Sequence, residues 1–116
     1  MKPLLIVFSL LAGMSLLVVV ATFRAQEKPD GAALYKERCS MCHNVDGTGN
    51  AAIKTPDFTD PKWQEGITDK EIVETIKNGK KDTPMPPFAN KLKEEEIQAL
   101  VVQVRSFNSK KDGEKK

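Results

Sequence analysis

Cys39-Ser40-Met41-Cys42-His43 is the stretch that decides how this 116-residue chain folds. Its C-x-x-C-H spacing is typical of a site where a c-type haem is attached covalently. Each thiol can add to one vinyl group of the porphyrin, and the histidine beside the second thiol is then placed to bind the iron as its proximal ligand. The spacing therefore predicts one covalently attached haem c, held by Cys39 and Cys42, with His43 on the iron.

Three other uses of a C-x-x-C pair fit the sequence less well. A dithiol redox pair is expected beside a βαβ pattern, and none follows. A closed zinc site needs four ligands, whereas this chain has two cysteines and one histidine. A structural disulfide across so short a loop would constrain the unfolded chain very little.

Length and charge limit the remaining possibilities. The chain is long enough for one domain, which we place at residues 26–108. Its formal net charge of +2 is too small to indicate nucleic-acid binding. Lysines and acidic residues are interleaved along most of it, as on a solvated surface. We expect a monomer, with a charged, disordered tail over 109–116.

The N-terminal segment 1–25 predicts export. A short positive start precedes the apolar run from Leu4 to Phe23, which is long for a signal peptide and about the length of a membrane span. Cleaved signal and retained anchor both stay open, with a slight preference for the anchor. In either case the remainder is expected on the exported side, as a periplasmic domain that is soluble or anchored to the inner membrane by residues 4–23.

The rest of the domain predicts an all-α fold with three core helices around the haem. Asp30 can cap a first helix that leads to Cys39. Thr68 and Glu71 form a capping box for a helix over 68–78, and Gly79 suits its end. The last helix begins near Glu94, and apolar residues repeat along one face of it. The segment 44–62 is expected to be a loop without a helix or strand, because glycine, asparagine, aspartate and proline interrupt it.

The second iron ligand follows by elimination. The chain has no second histidine, Met1 and Met14 belong to the export segment, and Met41 is too tightly tied between the two cysteines. Met85 remains, in Thr83-Pro84-Met85-Pro86-Pro87-Phe88, where three prolines stiffen the backbone. A histidine and methionine pair raises the reduction potential. It also occupies both axial positions of the iron, so we do not expect an enzyme.

The C-x-x-C-H motif followed by Met85-Pro86-Pro87-Phe88 resembles the class I single-haem cytochromes c, over about Asp30 to Phe107. The resemblance implies that the first and last helices cross closely, with Gly31 at the crossing. It also implies that the Pro56 carbonyl accepts a hydrogen bond from the proximal imidazole, and that the Trp63 indole approaches a haem propionate. The family usually has glycine before that proline, where this chain has Thr55.

Together these features predict a one-electron carrier that exchanges electrons with redox proteins such as an oxidase, dehydrogenase or reductase. The alternatives are a membrane-bound cytochrome c subunit of a terminal oxidase or dehydrogenase and, less favoured, a haem sensor or peroxidase. Five lysines near the Met85 segment either serve solubility or steer acidic partners; they are Lys77, Lys80, Lys81, Lys91 and Lys93.

Overall fold

The computed structural model describes residues 26–108. Its helices are α1 (Gly31–Arg38), α2 (Ser40–His43), a 3₁₀ turn (Ala51–Ile53), α3 (Pro61–Gly66), α4 (Asp69–Asn78) and α5 (Glu94–Ser106). No strand occurs within residues 26–108, and the all-α prediction is confirmed. No helix within this range is both long and apolar enough to span a bilayer. The predicted export segment 1–25 and tail 109–116 lie outside the described residues.

The three long helices begin where the sequence predicts. The Asp30 carboxylate accepts hydrogen bonds from the amides of Ala32 and Ala33 at the start of α1. The capping box of α4 is complete, because Thr68 and Glu71 each accept the other's backbone N–H. At α5 the Lys93 side chain makes no cap, but the Glu96 carboxylate accepts the Lys93 N–H at 2.7 Å. Local hydrogen bonds thus define each start.

The prediction of an unbroken loop over 44–62 is wrong at two places. The 3₁₀ turn at Ala51–Ile53 begins where the Asn50 side chain accepts the Ala52 N–H. α3 begins at Pro61, and the side chain of the preceding Asp60 accepts the Lys62 N–H. An aspartate cap followed by proline at the first helical position is a standard start signal, so α3 was readable from the sequence.

The predicted crossing of the first and last helices is present and depends on Gly31. A Cβ at Gly31 would lie 2.3 Å from the carbonyl oxygen of Ala99 on α5. That distance is far below van der Waals contact, so only glycine lets the two backbones approach this closely. The crossing holds α1, and the C-x-x-C-H turn that follows it, against the middle of α5.

One hydrophobic core joins α1, α4 and α5. The apolar positions predicted for α5 are all buried, as are Ile72 and Ile76 of α4. Phe107 was missed at the sequence level, yet it is fully buried, with its ring centroid 5.0 Å from that of Tyr35. The buried cluster consists of Tyr35, Phe58, Ile72, Ile76, Leu92, Ile97, Leu100, Val101, Val104 and Phe107.

We expect Gly31→Ala to lower the free energy of unfolding by about 1–3 kcal/mol, because the new methyl group must push α5 away. Gly66→Ala is the matched control, since a Cβ there meets nothing within 4 Å and should be neutral or stabilising by less than about 1 kcal/mol. Denaturant unfolding of the two variants measures the difference. Equal stability of both variants would show that the crossing does not need glycine.

Candidate functional site

Two adjoining clefts lie between the C-x-x-C-H turn and the proline-rich segment. We call residues 83–88 the strap, the cleft against them the strap cleft, and the cleft against α4 and α5 the core cleft. The core cleft holds about 660 Å³ of empty space and the strap cleft about 600 Å³, both including space open to solvent. The residues that line both clefts are Cys39, His43, Pro56, Lys80 and Met85.

The C-x-x-C-H turn continues directly from α1. The Cys39 N–H donates to the Tyr35 carbonyl at 2.9 Å, and the His43 N–H donates to the Cys39 carbonyl at 3.0 Å. Both cysteines are free thiols; Cys39 is half-buried and Cys42 is exposed. Burial, and to a lesser extent the neighbouring Cys42, raises the pKa of Cys39 to about 11. Cys39 is therefore a neutral thiol at physiological pH.

His43 faces the clefts as a neutral base. Its ring stacks on Phe58, with centroids 4.9 Å apart and planes inclined by 16°. Burial lowers the pKa of His43, which favours the neutral imidazole that binds metals. Its Nδ1 atom is buried and has no hydrogen-bond partner within the described part of the chain. A buried nitrogen without a partner in an apolar cleft fits a residue that serves a cofactor.

The hydrogen bond expected between His43 and the Pro56 carbonyl is not formed in this structure. Pro56 does line both clefts beside His43. Its carbonyl oxygen packs against Gly49, 2.3 Å from the position that a Cβ of Gly49 would take. The structure therefore places Pro56 at the site without the predicted contact, and its role stays a prediction.

Backbone hydrogen bonds hold the strap on the end of α4. Gly79 ends α4 with φ +70°, and a Cβ there would lie 2.7 Å from the Met85 carbonyl oxygen. That carbonyl accepts the Lys80 N–H at 3.3 Å, and the Phe88 N–H donates to the Ile76 carbonyl at 3.0 Å. Met85 is half-buried and lines both clefts with His43, whereas Met41 is 92% exposed. Of these two methionines, Met85 is the one that faces the site.

Trp63 lies in the core cleft, as expected for a cofactor-contacting residue. Its ring centroid is 4.7 Å from that of Phe58, and the side chain is half-buried. The predicted contact of its indole with a haem propionate stays a prediction. Phe58 belongs to the hydrophobic core, and its ring also contacts His43.

Thr55 is a site residue that sequence reasoning missed, although its departure from the family pattern was a signal. Its hydroxyl lies 3.1 Å from the Cys42 carbonyl and 3.2 Å from the Asn50 carbonyl. It also accepts the Asn50 N–H. The hydroxyl thus ties the C-x-x-C-H turn to the loop that precedes Pro56. A glycine at this position could not make these bonds.

The residues around the clefts fit a haem. Two free thiols and a neutral imidazole lie on one turn, a thioether lies on the strap, and apolar and aromatic side chains form much of the lining. When bound, a haem supplies a one-electron iron couple. The fold and this lining define the class as class I cytochrome c.

Comparison with known proteins identifies the family. A family model described as "Cytochrome C oxidase, cbb3-type, subunit III" matches residues 26–102. The match covers more than half of the chain, and the chain belongs to this family. As a c-type cytochrome domain, it is expected to carry haem c.

The curated relatives are considerably longer than this chain. The cbb3-type cytochrome c oxidase subunit FixP of Bradyrhizobium sp. (strain ORS 278) is 33% identical over 81 residues, which are 70% of this chain and 28% of that protein. The subunit CcoP of Cereibacter sphaeroides is 31% identical over 67% of this chain and 27% of its own length. The chain therefore spans less than a third of these two relatives.

Solved structures of similar size also match. The KustC0563 c-type cytochrome is 39% identical, with a TM-score of 0.64, over 68% of this chain and 98% of its own. The c-type cytochrome NirC is 27% identical, with a TM-score of 0.57, over 71% of this chain and 92% of its own. Both support the identification of the fold as that of a small c-type cytochrome.

We expect Thr55→Val to destabilise the protein by about 1–3 kcal/mol, because the Asn50 amide and the Cys42 carbonyl lose their shared partner. Thr55→Ser keeps the hydroxyl and should lose less than half as much. Denaturant unfolding of both variants measures this. If serine were as destabilising as valine, the hydroxyl alone would not account for the loss, because serine keeps the hydroxyl and valine keeps the methyl group.

Proposed function

We propose that this chain is a one-electron carrier with a single haem c, attached through Cys39 and Cys42 and ligated by His43 and Met85. The observation that carries the proposal is that a half-buried imidazole and a strap-held thioether line the same pair of clefts, with both thiols beside them. Cys39, Cys42, His43 and Met85 would hold the haem, and the apolar lining of the clefts would exclude water from it.

The residues present favour electron transfer over catalysis at the metal. A thioether ligand raises the reduction potential and blocks access of small molecules to the iron. The strap holds Met85 through main-chain bonds to α4, and such a ligand is difficult to displace. A haem sensor or peroxidase requires an open or displaceable position, so this alternative is disfavoured.

A second candidate is an electron-transferring subunit of a cbb3-type oxidase. The family match and the FixP and CcoP relatives favour it. On this proposal the exported domain remains bound to the membrane complex and receives electrons for it. Co-purification with an oxidase from membrane extracts distinguishes the subunit from a free carrier, which is recovered alone. The site residues have the same roles in both cases.

The charges around the clefts favour acidic redox partners. Lys80 lines both clefts, and Arg38 and Lys54 line the strap cleft. Of the lysines that the sequence singled out, Lys77 contributes less because its Nζ lies 2.6 Å from a Glu94 carboxylate oxygen. Arg38 contributes less for the same reason, since its Nη2 lies 3.1 Å from a Glu37 carboxylate oxygen. Arg38 and Lys54 are remote from Lys80 in sequence, so only the fold places them at one opening.

We expect Met85→Ala to remove the weak ferric iron–sulfur absorption band and to let carbon monoxide bind the ferrous protein. Met41→Ala, at the 92% exposed methionine of the motif, is the matched control and should change neither property. Spectra of the purified haem protein measure both. A Met85→Ala protein that retains the band would reject Met85 as a ligand, and a wild-type protein without bound haem would reject the proposed function.

We expect the rate of oxidation by ferricyanide, an anionic probe, to fall with rising ionic strength, because salt screens its attraction to the basic opening. Lys80→Gln should lower the rate at low salt several-fold and flatten the salt dependence. Lys70→Gln is the charge-matched control, since Lys70 is exposed and lines neither cleft. Equal effects of the two variants in stopped-flow experiments would show that net charge, and not the opening, governs the rate.

A further inference from the structure

Gln64 on α3 is a buried polar residue that the haem ligands do not account for. Its side chain is buried, and its Nε2 donates to the Phe58 carbonyl at 2.7 Å and to the Val104 carbonyl at 2.9 Å. Both amide hydrogens are therefore used, and both acceptors belong to residues that line the core cleft. A leucine of similar size would leave two carbonyl groups without this donor.

Arg105 on α5 completes the arrangement. Its Nη1 donates to the Gln64 backbone carbonyl at 2.7 Å and to Gln64 Oε1 at 3.0 Å. Its Nη2 donates to the Ile67 carbonyl at 2.7 Å, and its Nε donates to an Asp69 carboxylate oxygen at 2.7 Å. Four hydrogen bonds from one planar guanidinium fix α5 to the segment from Gln64 to Asp69. A lysine ammonium, with three donors on one atom, cannot reproduce this fork.

Gln64 and Arg105 are bonded to the backbone of residues that line the core cleft. We call Phe58, Trp63 and Ile67 the cleft wall; all three line the core cleft. Gln64 binds the backbone of Phe58, and Arg105 binds the backbone of Ile67. The Phe58 ring in turn stacks on the imidazole of His43. Gln64 is thus hydrogen-bonded to the backbone of Phe58, the residue whose ring contacts the proposed iron ligand His43.

We propose that Gln64 and Arg105 are positioning residues that press the cleft wall onto the haem and thereby raise its reduction potential. This inference rests on the proposed function. Ferric haem carries one more positive charge than ferrous haem, so water near the iron stabilises the ferric form. A wall held closed excludes that water and favours the ferrous form.

The test uses the full haem-loaded chain in three variants. Gln64→Leu removes the two amide bonds, and Arg105→Lys keeps the charge but loses the fork. Gln98→Leu is the matched control: Gln98 is exposed on the same helix as Arg105, and its side-chain bond is to Glu94 on that helix. Each protein is examined by redox titration, by thermal unfolding and by the fluorescence of Trp63, the chain's single tryptophan.

We expect Gln64→Leu to lower the ferrous-to-ferric ratio at a fixed solution potential about tenfold, which is about 59 mV for one electron. Arg105→Lys should shift the ratio in the same direction, and the double variant should shift it no further than the larger single effect, since the two residues act as one unit. Trp63 emission should rise in both variants, because the indole moves away from a quenching haem. Gln98→Leu should match the wild type in both readouts.

Unchanged potential and emission in a folded Gln64→Leu protein would overturn the inference, even if its unfolding temperature falls, because the pair would then support stability alone. If Gln64→Leu does not fold, Arg105→Lys is judged by the same two readouts. If neither folds, the pair is a requirement for folding and the positioning role is rejected. The wild-type spectrum separates the two proposals, since lack of bound haem there rejects the proposed function itself.

Discussion

The close approach of α1 and α5 at Gly31 is the constraint on which the rest of the structure depends. The helices touch backbone to backbone there, with the Ala99 carbonyl occupying the space that a Cβ of Gly31 would take. α1 leads directly into the C-x-x-C-H turn, and α5 supplies Leu100 and Val104 to the core cleft. The crossing therefore sets the distance between the turn that carries the thiols and the apolar side that faces it. α4 packs on the same helix, and its end carries the strap, so the position of Met85 also follows from α5.

Sequence patterns predicted the parts of this fold that local physics determines. The caps at Asp30 and Thr68 and the buried face of α5 involve residues within one or two helical turns of each other, so spacing reveals them. The two clefts were anticipated only through the motif and the strap, whose chemistry is distinctive. The bonds of Arg105 to Gln64 and Ile67 join residues about 40 positions apart. Residues so far apart in sequence leave no periodic pattern from which their contact could be predicted. Phe107 was missed for a similar reason, because its burial depends on Tyr35 and Phe58 from distant segments.

The site residues fall into two groups that differ in how they are held. Cys39, Cys42 and His43 are placed by one continuous stretch of helix and turn, and are therefore fixed by α1 and the Thr55 hydroxyl. Met85 comes from the opposite side of the clefts and is placed by contacts with α4. The distance between the imidazole and the thioether thus depends on tertiary packing. The cleft wall is tied to α5 by a third, separate set of bonds, through Gln64 and Arg105.

Main-chain anchoring of the strap has an evolutionary consequence. The bonds that fix Met85 involve its own carbonyl and the backbone N–H groups of Lys80, Phe88 and Ala89, and Pro84, Pro86 and Pro87 are exposed. Apart from the Thr83 hydroxyl, which accepts the Met85 N–H at 3.3 Å, no strap side chain takes part in these bonds. Selection can therefore change the other exposed side chains of the strap to suit a new docking protein while the proposed ligand Met85 stays in register, provided that Gly79 keeps the room it gives to the Met85 carbonyl. The side chains that would contact a redox partner are therefore different from the groups that hold Met85.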